Sequence, residues 1–108
     1  MKAVAYIRND KNYFQRIEIE QYCTRNAIDL EAIFEDSGVS GLDEDRLSYK
    51  KLFKYISKNK TDLVLVDIPE RLTRDMNKML EIIKDLKREE IGLVAVGTGN
   101  YLTDMEIY

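Results

Sequence analysis

The sequence predicts a three-layer α/β domain, with a mostly parallel sheet of strand order 2-1-3-4 and helices on both faces. Three observations predict it. Short apolar runs alternate with amphipathic segments along the chain. The runs at 63–66 (Leu-Val-Leu-Val) and 93–96 (Leu-Val-Ala-Val) are apolar on both faces, as strands covered by helices on each side must be. Turn-forming Asn, Asp and Gly residues follow the runs, where each strand hands over to the next segment.

The first strand is expected over 2–7 (Lys-Ala-Val-Ala-Tyr-Ile). Asn9, Asp10 and Asn12 then supply turn and cap chemistry, and Asn12 with Gln15 has the spacing of a capping box. A helix follows to about Asn26, with Ile19, Tyr22 and Cys23 on one face; its pattern is the weakest of the three. Residues 30–34 read as the second strand, and 35–41 as a loop in which Gly38 and Gly41 serve a turn. Tyr49, Leu52, Phe53 and Ile56 stand at i, i+3, i+4, i+7, an amphipathic helix. Strand three is 63–66. Met76, Met79, Leu80 and Ile83 repeat the helical spacing, so the Met76/Met79 pair is expected in the core. Strand four is 93–96. The order β-α-β-α-β-α-β with right-handed crossovers gives the flavodoxin-like arrangement, in which functional groups collect beyond the carboxyl ends of the strands.

Composition narrows the function. A chain of 108 residues is one domain's worth, and 44% hydrophobic with 34% charged residues suits a globular one. No apolar run is long enough to span a bilayer, and the start is charged too soon for a signal peptide, so cytoplasm is expected. A lone cysteine, Cys23, rules out an internal disulfide and is expected in the core; with no histidine, a zinc site of the usual ligands is excluded, and no cofactor is expected. The net charge is -3, which argues against strong autonomous DNA binding, since that affinity comes from neutralising phosphates. Lys50, Lys51, Lys54 and Lys58 are expected to be a solvated helix face, with DNA contact the minority reading.

Four stretches at the strand ends carry a resemblance. Tyr6-Ile7-Arg8-Asn9-Asp10 is followed by Phe34-Glu35-Asp36-Ser37-Gly38-Val39-Ser40-Gly41, then by Asp45-Arg46-Leu47, then by Glu70-Arg71-Leu72-Thr73-Arg74-Asp75. They are similar, in order and spacing, to Tyr-x-Arg-Val-Ser, Phe-x-Asp-x-Gly-Val-Ser-Gly, Asp-Arg-Pro and Asp-Arg-Leu-x-Arg-Asp of the serine site-specific recombinases (the resolvase/invertase family). The chain thus resembles that family's N-terminal catalytic domain. The resemblance implies a site at which a serine attacks a DNA phosphodiester and arginines hold the phosphoryl oxygens, a task their planar fork suits. Carried over, Arg8, Arg71 and Arg74 are the phosphate clamp and Arg46 a further cationic support. Glu70 stands at the family's Asp, and Tyr6, Asp36 and Ser40 shape the pocket.

The departures bear on activity. Asp10 stands where the family has its nucleophilic serine, and loss of a nucleophile costs on the order of 10⁶ in rate in hydrolytic sites. Asn9 and Leu47 replace the family's Val and Pro. The resemblance therefore implies a catalytically inactive module. It would bind DNA weakly on its own, form a homodimer or pair with an active recombinase, and have no membrane partner. The 108 residues are expected to hold this one domain without the family's long dimerisation helix and DNA-binding domain, and 103–106 to cap a stump of the next helix. Two plainer readings stand beside it. Asp10 serves only as an N-cap; or the chain is a receiver-like phosphoacceptor using Asp67, with Asp10, Thr98 and Mg²⁺.

Overall fold

The computed structural model describes residues 1–38 and 46–104. Strand β1 (Lys2–Arg8) leads to helix α1 (Phe14–Arg25), β2 (Asp29–Asp36), α2 (Leu47–Lys58) and β3 (Leu63–Val66). A 3-10 turn (Pro69–Arg71) precedes α3 (Met76–Arg88) and β4 (Gly92–Ala95), and a short β5 (Asn100–Tyr101) runs into a second 3-10 turn (Leu102–Asp104). The sheet order is β2-β1-β3-β4-β5. Four strands are parallel, as expected; β5 adds an antiparallel edge, pairing Val94 with Tyr101 and Ala95 with Asn100. A strand of two residues has no periodicity to read, which is why it escapes sequence reasoning. Among the described residues no helix is long and apolar enough to cross a membrane.

Alternation along β1 divides the core. Val4 and Tyr6 point to the face covered by α2 and α3, where they meet Leu52, Val64, Val66, Leu72, Met79 and Ile83. Ala3, Ala5 and Ile7 point to the other face, with Ile19 and Cys23 of α1. The expected seams of α1 and α2 hold, with Leu52 fully buried. In α3 the seam is Met79, Ile82, Ile83 and Leu86, while Met76 is 71% exposed, a correction to its expected place in the core. Met76 is the first residue of the helix, so its side chain lies at the helix mouth rather than over the sheet.

The local chemistry at the α1 start also differs from expectation. Asn12 does not cap the helix. It and Tyr13 have positive φ, 57° and 61°, and the cap is Asp10, whose Oδ1 and Oδ2 accept the backbone N–H groups of Gln15 and Arg16 at 2.8 and 3.2 Å. Gln15 is needed elsewhere. Its side-chain amide pairs with the backbone of Arg8, the last residue of β1, donating to the carbonyl at 2.8 Å and accepting from the N–H at 3.1 Å. Thr103 likewise turns inward, its hydroxyl accepting the N–H of Leu93 at 3.2 Å. Strand β2 is the other sheet edge and carries a bulge: Ala3 pairs with Leu30 and Val4 with Ala32, leaving Glu31 unpaired.

Candidate phosphate site at the strand carboxyl ends

The carboxyl ends of β1, β2 and β3 bring Tyr6, Arg8, Asp36, Arg46 and Arg71 together. Tyr6 is fully buried and donates its hydroxyl to Asp36 Oδ2 at 2.8 Å. Asp36 also accepts the backbone N–H groups of Ser48 and Tyr49, both at 2.9 Å, and so caps α2 from a different strand. Burial raises the Asp36 pKa, but the bonds from Ser48, Tyr6 and Tyr49 and the charge of Arg46 outweigh it, and the net shift is downward. Burial and the bond to Asp36 push the Tyr6 phenol far up, so it stays a donor.

Arg8 and Arg46 are each 4% exposed. Both reach the 3-10 turn. Arg8 donates to the carbonyls of Glu70 at 2.8 Å and Arg71 at 3.1 Å. Arg46 donates to the carbonyl of Arg71 at 3.1 Å, to that of Leu72, and to the Tyr6 hydroxyl at 3.3 Å. Its guanidinium lies 3.9 Å from the centroid of the Tyr49 ring. Two cations thus satisfy three successive carbonyls at the end of a turn, groups that the turn itself leaves without partners. Burial lowers the Arg8 pKa, and the charges of Arg46, Arg71 and Arg74 lower it further. The four arginines therefore share one electrostatic neighbourhood.

Arg71 closes a two-bond ion pair with Asp67: Nε to Oδ1 at 2.9 Å and Nη2 to Oδ2 at 3.2 Å. Arg74 is exposed, and its charge is felt at Arg8; it stands just before Asp75, which caps α3 by accepting from Asn77 and Lys78. Glu70 is at the surface and enters the network through its carbonyl. A cleft of about 460 Å³ lies between Asn9, Asp10, Lys11, Phe14, Gln15, Asp67 and Arg71. Of the expected pocket residues, Ser40 lies outside the described residues, as do Asp45 and Gly41. Thr98 bonds to the carbonyl of Ala95 within its own turn. Among the described residues no three carboxylate, thiol or imidazole groups come close enough to share a metal ion.

Sequence reasoning missed three participants. Gln15 and Tyr49 gave no signal, since one looks like a capping residue and the other like a helix seam. Asp67 was visible only as a phosphoacceptor candidate, not as the partner of Arg71.

Comparison with known proteins agrees with this fold. The family model described as the resolvase N-terminal domain matches residues 4–107. A search of curated protein sequences gave no match. Among solved structures, the N-terminal catalytic domain of TP901-1 integrase superposes with a TM-score of 0.88 at 21% identity, covering 96% of this chain and 83% of that one. A resolvase family site-specific recombinase from Streptococcus pneumoniae gives 0.81 at 19% identity, over 98% and 78% of the two chains. The C-terminal catalytic domain of ISC1926 TnpA, an IS607-like serine recombinase, gives 0.78 at 24%, over 89% and 67%. At these identities the superpositions speak for the fold.

Proposed function

The chain belongs to the resolvase N-terminal domain family, and from that premise we propose that it is a recombination-associated module that holds a phosphate without cleaving DNA. One observation carries the second half. Both carboxylate oxygens of Asp10 are engaged by backbone N–H groups at the start of α1, so the residue at the nucleophile position serves as a helix cap. A carboxylate there also repels a phosphodiester, and its attack would give a labile acyl phosphate in place of a phosphoserine.

The first half rests on the cation cluster. Arg8 and Arg46 are spent on shaping the 3-10 turn, and that turn sets Arg71 at the mouth of the cleft, with the charge of Arg74 still felt at Arg8. Buried guanidinium groups still contribute to the field felt by an anion at the surface. A net charge of -3 keeps the affinity low and steeply salt-dependent. The module is expected to act through a partner, either a second copy or an active recombinase.

Purified protein is to be incubated with a nicked duplex oligonucleotide that traps covalent intermediates, then run on an SDS gel. No protein–DNA adduct is expected. A DNA-linked species that survives SDS and disappears with protease refutes the reading. Binding to the same duplex is expected to vanish at raised salt; retention there also refutes it. The receiver alternative predicts a mass gain at Asp67 with acetyl phosphate and Mg²⁺.

A further inference from the structure

We propose that Asp67 is an internal stand-in for phosphate: its carboxylate fills the Nε/Nη2 edge of the Arg71 guanidinium, and an anionic ligand takes that edge only by displacing it. The proposal rests on the phosphate-site reading above and adds the group that limits it. Asp67 lies outside the four motifs that carry the family resemblance, three residues before Glu70.

The geometry is that of a competitor. The two bonds at 2.9 and 3.2 Å are the parallel pair with which arginine also grips a phosphate. One such edge serves one anion at a time. The carboxylate is the fixed partner. Asp67 is 7% exposed and follows β3 directly, and its carbonyl accepts the N–H of Gly97 at 3.0 Å. The backbones pack so closely that a Cβ on Gly97 would sit 2.9 Å from that carbonyl oxygen. Arg71 is the movable partner, with a side chain 27% exposed at the rim of the 460 Å³ cleft. A phosphate arriving in the cleft therefore draws Arg71 away from Asp67, leaving a carboxylate nearby that opposes it. This gives the site a built-in threshold, and the affinity of the wild-type chain falls below what its arginines alone imply.

The probe is inorganic phosphate, followed by calorimetry and by the Arg71 Nε–H resonance in NMR, with a short duplex oligonucleotide as a second ligand. Asp67→Asn keeps the shape and removes the charge. Phosphate affinity is expected to rise about fivefold, the change that a partly exposed pair can withhold. The gain is expected to vanish in Asp67→Asn/Arg71→Gln. In the wild type the Nε–H resonance is expected to be sharp and to shift on saturation with phosphate. Asp67→Ser serves the same purpose should the Asn variant fold poorly by circular dichroism. If phosphate binding depends on Arg71 but neither Asp67 variant binds more tightly, the stand-in is overturned and the phosphate site survives. If Arg71→Gln leaves wild-type binding unchanged, or if no chain binds phosphate, both readings fall.

Discussion

Asp36 shows how much one buried carboxylate organises. It orients the Tyr6 phenol, caps α2 through Ser48 and Tyr49, and faces Arg46, all from the last residue of β2. Its pKa is held below the ordinary aspartate value of 3.8. A depressed acid stabilises the fold fully above its unfolded pKa and loses that contribution as pH falls through the folded one. Asp36→Asn is therefore expected to cost about 2 kcal/mol near neutral pH, the worth of hydrogen bonds to a charged group. The gap to wild type is expected to close as pH falls below the ordinary aspartate value and through the lowered folded one. Urea titrations from neutral to strongly acid pH check this, and a gap that stays constant across them contradicts it. The residue was legible from the sequence as a member of the loop motif. Its capping role was not, because the helix that it caps starts eleven positions later and no local spacing links the two.

The element on which the site depends is the 3-10 turn Pro69–Arg71 rather than any long helix. Pro69 sets its first residue, and the N–H groups of Arg71 and Leu72 return to Ile68 and Pro69 at 3.2 and 3.0 Å. Three residues of turn hold little by themselves; the guanidinium groups of Arg8 and Arg46 fix its carbonyl end from beneath. Arg46→Gln is expected to lower stability by about 2 kcal/mol, since carbonyls lose charged donors. It is also expected to speed amide exchange at Arg71 and Leu72 above the global change. Hydrogen exchange read by NMR checks the second point, and uniform acceleration across the chain would place Arg46 in the general packing instead. The arginines stood out in the sequence because the motifs of the family resemblance carry arginine at these positions. The direction in which Arg8 and Arg46 point was hidden, since a motif gives composition and order but not which carbonyls need donors. The same limit explains α1: Asn12 and Gln15 have cap spacing, yet the buried backbone of Arg8 claims the Gln15 side chain first.

At the scale of the whole molecule, the two cores flank a sheet whose β1, β3 and β4 are buried throughout or nearly so. This was the most legible part of the chain, because continuous apolar runs and seams at helical spacing report burial directly. The α2 and α3 face is the heavier of the two, and Leu52 lies in it with no exposure. Leu52→Ala is expected to cost about 3 kcal/mol and to lower Tm by on the order of 10 °C. A shift of only one or two degrees by circular dichroism would mean that the layer relaxes around the gap. The site lies beyond the strand ends, so the same variant is expected to keep the Arg71 Nε–H resonance.

The irregular pairing of Glu31 has a consequence for how this molecule meets others. A regular outer strand offers a neighbour a row of free backbone groups to zip onto, and a stray carboxylate with a local kink spoils that row. Among the described residues the opposite border is two residues long, too short to template a neighbour. Growth of the sheet from molecule to molecule is thus discouraged on both flanks. Among the described residues, recognition by adding a strand to the sheet is therefore disfavoured, and the rim where the strands end is left as the better-equipped surface.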